Sequence, residues 1–387
     1  MFDRGSKRAL NALKDDQCIT QLITTVNIRH RVRFMSNQQD SRQTITMDDW
    51  YKCRLDRKVL KEVTRRNDTA ALLHFGGFIA LVAASGAFAW LSLDTPWCVP
   101  AFLLYGTFYA FAEAMEHELR HRTPFKSEWL NESVHWLICF MTWREQIYSR
   151  WSHAQHHTYT HLTATVPSDV ELAVKRPPNY LKLVTDFLRV SHGIHHLGNI
   201  VLHTFGIVSK SAKAVVPVTE YRAMCRNSRV ILLLYIGVAG WAIAAHSWLP
   251  VVFLLLPRAY GAWLHELLAI TQHTGLRENE LDHRFSTRTI KLNRMLQFLY
   301  WNMNYHVEHH MFPNVPFHAL PKLREAIRED LPPAYDGLFS AWREILHVFR
   351  MQRRDPDFMV TPLVPGKLAA AAAGQTIDTP PGAVEAR

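Results

Sequence analysis

Residues 68–121 read DTAALLHFGGFIALVAASGAFAWLSLDTPWCVPAFLLYGTFYAFAEAMEHELRH, with no Lys or Arg before Arg120. The reading of this stretch decides the fold. Thr69 to Leu93 is expected to be one membrane span, Asp94-Thr95-Pro96 a turn, and Trp97 to Met115 a second span, since a bilayer crossing needs about 20 apolar residues. The second span delivers His117-Glu118-Leu119-Arg120-His121. Histidines four apart share a helix face, so His117 and His121 offer two ring nitrogens to one point.

The same logic applies further along. His153-Ala154-Gln155-His156-His157 and His306-Val307-Glu308-His309-His310 are both H-x-x-H-H, and i, i+3 and i, i+4 pairs again share a face. Imidazole suits Zn, Cu, Fe and Ni. One ion takes at most about six ligands, so eight histidines imply two ions, or ligands mixed with bystanders. His117 to His121 is also H-E-x-x-H, a zinc-protease signature with Glu118 as general base. That chemistry needs three protein ligands and leaves the other clusters without a purpose. Ser191-His192-Gly193-Ile194-His195-His196 repeats the H-x-x-H-H spacing in an amphipathic stretch and competes for one of the three places. His161, His203 and His265 are read as structural or supporting, and His74 and His246 as non-ligands.

A second hairpin is expected from Val230 to Ala245, a turn at His246 to Pro250, and an arm from Val251 to about Ile270. No Lys or Arg lies between Arg66 and Arg120 or between Arg229 and Arg258. Both hairpin tips are thus free of basic residues, and the positive-inside rule places the amino-terminal arm, the 120–229 segment and everything beyond 276 in the cytoplasm. All histidine clusters then share that side. Trp136 to Trp143 and Tyr180 to Val208 read as interfacial helices, Trp50 to Arg66 as a helix on the membrane surface, and Leu320 to Leu331 as an amphipathic helix. The expected fold is an all-α membrane protein of two transmembrane hairpins, about four spans, with a cytoplasmic helical cap over a metal pair. Residues 1–68 form a basic arm, 69–345 the membrane domain and 346–387 a partly disordered tail, disordered from Leu368. Ser36 to Ser41 also reads as disordered, and Met35 is a candidate start that would make residues 1–34 an upstream extension.

Composition sets the outer bounds. The chain has 387 residues, net charge +10 and 48% hydrophobic residues; its mean hydropathy of −0.10 hides strong segregation. The positive excess favours anionic headgroups and an acidic partner, and no basic-aromatic module for nucleic acid is present. The five cysteines are scattered without C-x-x-C, so no disulfide or zinc ribbon is required. The first apolar run starts near residue 70, so no amino-terminal signal peptide is expected.

The clusters HELRH, HAQHH and HVEHH, in this order with hairpins between them, resemble the membrane fatty acid desaturase superfamily, which includes alkane and carotenoid hydroxylases. The resemblance runs from about residue 68 to 345, and HHMFPNVPFHALPKLREAI resembles the stretch after the last box in bacterial acyl desaturases. It implies two non-haem iron ions, O2 as co-substrate, and His117, His121, His153, His156, His157, His306, His309 and His310 as ligands. Gln272-His273-Thr274-Gly275 fits the place of a further ligand, His273. Glu118 and Glu308 would orient neighbouring imidazoles or pair with arginines such as Arg120 or Arg122; Asp169 and Glu171 are candidates for similar work. No H-P-G-G haem signature occurs, so no fused cytochrome b5 domain is expected, and electrons would come from a separate ferredoxin or rubredoxin with its reductase. The expected reaction is desaturation of an aliphatic chain, most simply a fatty acyl group, in a multi-pass membrane protein (the inner membrane if bacterial). QHTGL and WNMNYHVEHHMFP are similar to hydrocarbon oxygenases of rhizopine catabolism. That keeps open a hydroxylase or demethylase of a small polar molecule.

Overall fold

The protein is described here by a computed structural model that covers residues 45–164, 171, 174 and 176–365. Those from 47 onward belong to one compact unit. The expectations for Met35 and the first 34 residues, Ser36–Ser41, Asp169 and the tail from Leu368 lie outside the described residues. Among the described residues the chain is helical, with three isolated β-bridges and no strand.

Asn67 opens the first span: its side chain accepts the N–H of Ala70 at 3.2 Å, which satisfies one of the unpaired donors at a helix start. The helix Asp68–Leu91 has 24 residues, about 36 Å at a rise of 1.5 Å per residue. Cys98–Ala110 and Ala112–Arg120 follow as one candidate span, and a third runs Val218–Ala244. The third begins well before Val230. Its first turns carry Arg222, Arg226 and Arg229, which end an apolar run but not a helix. In the most apolar part of each span, 22% is buried in Asp68–Leu91 and in Val218–Ala244, against 67% in Cys98–Arg120. The outer two therefore present apolar side chains such as Leu73, Leu91, Leu233 and Ile243 outward, as lipid contact requires, while Cys98–Arg120 is the axis of the protein.

The unbroken arm expected from Val251 to about Ile270 is corrected. Val251 to Ile270 does not form one helix but three short ones, Leu249–Leu254, Pro257–Gly261 and Trp263–Thr271. Among the described residues, three single helices are long and apolar enough to cross a membrane. Pro257 is the cause: it has no N–H to give the carbonyl of Phe253 and its ring crowds that carbonyl. The freed oxygens find other donors. Tyr105 Oη donates to Phe253 O at 2.7 Å, Tyr109 Oη to Leu254 O at 2.8 Å and Trp143 Nε1 to Leu255 O at 2.9 Å. Broken backbone at membrane depth is tolerated only where protein groups satisfy it.

The segments between and after the hairpins pack onto the carboxyl-terminal end of Cys98–Arg120. Glu128–Thr142 takes in most of Trp136–Trp143 and stops where Trp143 turns left-handed, φ 57°. Tyr180 to Val208 divides into Tyr180–Asp186 and Val190–Thr204, and the surface helix expected over Trp50–Arg66 is confined to Arg57–Val63. Leu320–Ile327 is helical and a short 3-10 turn carries it to Asp330. One large core joins Phe78, Phe111, Met115 and Leu119 to Trp301, Met311, Phe317 and Leu320. The boundary expected at 345 falls inside the helix Gly337–Met351, whose Ile345 and Phe349 are buried with Ile270. The chain stays attached to Val360, whose N–H donates to Gly275 O at 2.9 Å.

Candidate metal centre

Each histidine is delivered by a helix end. His117 and His121 close the Cys98–Arg120 span. His153, His156 and His157 lie on Gln146–Thr158, which Glu145 starts by accepting the N–H groups of Ile147 at 3.0 Å and Tyr148 at 2.7 Å. His306, His309 and His310 occupy Helix His306–Met311. His273 follows Trp263–Thr271 and its Nδ1 meets Ser286 O at 2.9 Å.

All nine converge, in two sets. His117, His121, His153, His157 and His309 form one; His156, His273, His306 and His310 form the other, and within each set the ligand atoms lie within 4.8 Å of one another. Nε2 approaches Nε2 at 2.9 Å for His117–His309, 3.0 Å for His121–His153 and His306–His273, and 3.2 Å for His157–His153 and His310–His306. Two nitrogens bound at right angles to one ion, with bonds of about 2.1 Å, stand about 3.0 Å apart, so the donor sets fit a metal ion each. Burial, followed by neighbouring imidazoles, holds His153, His157, His306 and His310 well below the ordinary histidine range. These rings are therefore neutral, the form that offers a lone pair to a metal.

The outer contacts leave Nε2 of several rings for that purpose. Glu171 Oε2 faces His153 Nδ1 at 3.0 Å while its other contacts are Arg120 Nη1 at 2.7 Å and Ser152 Oγ at 2.6 Å. Glu118 Oε1 lies 3.5 Å from His309 Nδ1, and its other oxygen accepts from Thr123 Oγ1 at 3.1 Å and the Phe317 N–H at 3.2 Å. Thr160 gives its hydroxyl hydrogen to His156 O at 2.6 Å and so meets His310 Nδ1, 3.2 Å away, as acceptor. Glu118 therefore faces His309 and not an arginine. Glu308 does the opposite: its carboxylate goes to Arg324 and to Thr289 Oγ1 at 2.5 Å, so it anchors the last box to the following helix instead of turning an imidazole. Buried and held in this way, Glu118 is not placed to serve as the general base of a zinc protease.

The remaining histidines stay outside both sets. His74 pairs with Phe298 O at 2.8 Å, His203 with Ser209 Oγ at 3.2 Å, His161 stands beside His273, and His265 packs on Phe111 and Tyr300. His246 is exposed at its hairpin tip. Glu116, His135 and Cys139 also cluster, but Arg150 Nη2 donates to His135 Nδ1 at 3.0 Å and Glu116 is held by Arg120 and Ser149, so hydrogen bonds explain this group. A cavity of about 180 Å³ opens on His117, His156 and His273. Its wall carries a buried network absent from the sequence reading: Glu113 meets Arg144 at 3.2 Å, Arg189 at 2.9 Å and Arg258, and Arg189 reaches Glu266 at 2.8 Å. Its signal was available, since charged residues within an apolar run are costly and mark function.

Comparison with known proteins agrees with this geometry. The chain is 21% identical over 288 residues to a delta(5) fatty acid desaturase, fat-4, of Caenorhabditis elegans, covering 64% of this chain and 62% of that one. It is 23% identical over 126 residues to a sphingolipid delta(4)-desaturase DES1-like protein of Oryza sativa subsp. japonica, covering 32% of this chain and 35% of the relative. It is 26% identical over 109 residues to a protein of the same description from Arabidopsis thaliana, covering 27% and 30%. The matches thus span less than two thirds of each relative. The profile of the fatty acid desaturase family matches residues 94–342; this range is more than half of the chain and holds every one of the nine converging histidines, and the chain belongs to that family.

Proposed function

We propose that this membrane oxidoreductase holds two non-haem iron ions, one in each histidine set, and uses O2 to oxidise an unactivated C–H bond. The observation that carries the reading is the division of nine imidazoles into a set of five and a set of four. An iron pair, when bound and reduced, supplies the O2 activation that such a bond demands. The chain's own residues do the rest. Glu171, Glu118 and Thr160 fix ring orientation, and the cavity holds the reacting carbon beside His117, His156 and His273. With two electrons and two protons, desaturation takes two hydrogens from substrate and releases two waters; hydroxylation inserts one oxygen and releases one water. The electrons come from a separate ferredoxin- or rubredoxin-like donor with its reductase. The exposed run of Lys52, Arg54, Arg57, Lys58, Lys61 and Arg65 supports docking of an acidic protein and a cytoplasmic placement of the histidine boxes.

The relatives' descriptions support desaturation of an acyl or sphingolipid chain. The charged and imidazole side chains in the cavity wall support the second reading, hydroxylation or demethylation of a small molecule. Metal analysis and O2 uptake of the full chain in lipid nanodiscs test the common part. Two irons per chain and reductant-dependent O2 consumption are expected; full turnover in folded protein without iron, or with one zinc per chain, overturns it. Lipid and metabolite profiles of a deletion strain separate the two outcomes: double bonds missing from lipids support the first, an accumulating small polar compound the second.

A further inference from the structure

The fourth histidine cluster, His192, His195 and His196, belongs to neither metal set, yet all three side chains line the cavity on which His117, His156 and His273 open. The helix that carries them, Val190–Thr204, comes close because of Gly193, where a Cβ would stand 2.7 Å from the Trp143 ring. The glycine inside the motif thus lets this helix approach the Trp143 ring.

The cavity wall is charged but balanced. Its three guanidiniums and three carboxylates pair as Arg120–Glu171 at 2.7 Å, Arg144–Glu113 at 3.2 Å and Arg189–Glu266 at 2.8 Å. The lining carboxylates and guanidiniums thus cancel one another in formal charge. Methylene groups would remove solvent from these pairs without replacing its hydrogen bonds, which costs free energy. Hydroxyl groups replace them. The imidazoles suit such a ligand. Burial and the nearby Arg189 push His192 down to about 2, and burial holds His196 far below its usual range, so each ring offers one donor and one acceptor. His195 Nε2 already meets Tyr148 Oη and Asn199 Nδ2, each at 3.2 Å. His196 is 8% exposed and stands beside the rings of Tyr148 and His195; His192 Nε2 has no hydrogen-bond partner among the described residues. The volume of about 180 Å³ suits a compact ligand.

We propose that His192, His195 and His196 form a recognition wall for a compact, uncharged, hydroxyl-bearing ligand, an inference that rests on reading the adjoining histidine sets as the oxidising centre. The test uses the full chain, iron-loaded, in lipid nanodiscs, with sorbitol, xylitol and palmitoyl-coenzyme A as probes. Thermal shift and the near-infrared circular dichroism of the ferrous site report binding. A saturable response to a polyol is expected, weakened about tenfold in His196→Phe, the loss of one hydrogen bond to a buried group, and retained in His196→Gln. Should His196→Phe not fold, Tyr148→Phe serves, with about threefold weaker binding expected. Saturation by palmitoyl-coenzyme A with none by either polyol, or unchanged polyol affinity in the variants, overturns the proposal. Iron analysis of the same samples separates the two readings. Polyol binding to protein that cannot hold two irons sinks the oxidative reading alone; two irons without polyol binding sinks the recognition wall alone.

Discussion

Two apolar arms of similar length lie against each other and treat their backbones in opposite ways. Cys98–Arg120 runs through as one candidate span and ends on two histidines one turn apart. Leu249–Thr271 breaks into three helices and leads to a single histidine, His273. The difference teaches that regularity and site-building are separate tasks. The first arm, interrupted at Phe111, fixes the spacing of His117 and His121 through the geometry of its last helix. The broken arm gives up its own hydrogen bonds, takes replacements from Tyr105, Tyr109 and Trp143, and in exchange brings Arg258 onto Glu113 and Gly261 onto Gly106.

The contact of the arms is where the comparison breaks most easily. A Cβ on Gly261 would lie 1.8 Å from the carbonyl carbon of Gly106, and backbone cannot step aside as a side chain can. Gly261→Ala is expected to yield no folded monomer on size exclusion in mild detergent. Gly76→Ala, where a Cβ meets nothing within 4 Å, should be neutral or stabilise by about 0.5–1 kcal/mol. Next comes Glu113→Gln. Removing one partner from a buried ion-pair network costs about 3–5 kcal/mol, read as a large fall in Tm, and Arg258→Met added to Glu113→Gln should recover part of it by withdrawing the stranded cation. Metal content then distinguishes the arms at their ligand ends. His273→Ala leaves three imidazoles in the set of four and His121→Ala leaves four in the set of five. Iron per chain should therefore fall further in His273→Ala, as measured by elemental analysis of dialysed protein.

Much of this was legible in the sequence because it is local. The i, i+3 and i, i+4 spacings place box histidines on one face whatever the rest of the chain does, and the first hairpin is an uncharged run of sufficient length. Long-range choices were not legible. Glu118 and Glu308 look equivalent inside their boxes, yet one meets His309 and the other is taken by Arg324, which lies on the following helix. The break in the last arm was missed because averaged hydropathy over Val251–Ile270 registers leucines and not the missing N–H of Pro257. The same averaging passed over Glu113, Arg258 and Glu266, whose partners come together only when both arms and the Val190–Thr204 helix have packed. His192, His195 and His196 carry the spacing of a ligand box, and only the fold shows that they face the cavity from outside both metal sets.

The smallest effect probes the break itself. Tyr105→Phe removes the donor to Phe253 O and should cost about 1–2 kcal/mol, the penalty of a buried carbonyl left unpaired. Alanine at 257 restores the N–H that an unbroken helix would direct at that same oxygen. In Pro257→Ala, therefore, Tyr105→Phe should cost measurably less than in the native arm, and the two changes should be non-additive in a double-mutant cycle of thermal stability. Tyr109→Phe, which acts on Leu254 O, should show weaker coupling to position 257, because the amide that an unbroken helix would direct at Leu254 O belongs to residue 258. Equal costs of Tyr105→Phe in both backgrounds would mean that the hydroxyl does not substitute for the missing amide, and the break would then have to be attributed to the packing of Gly261 on Gly106 instead of to proline.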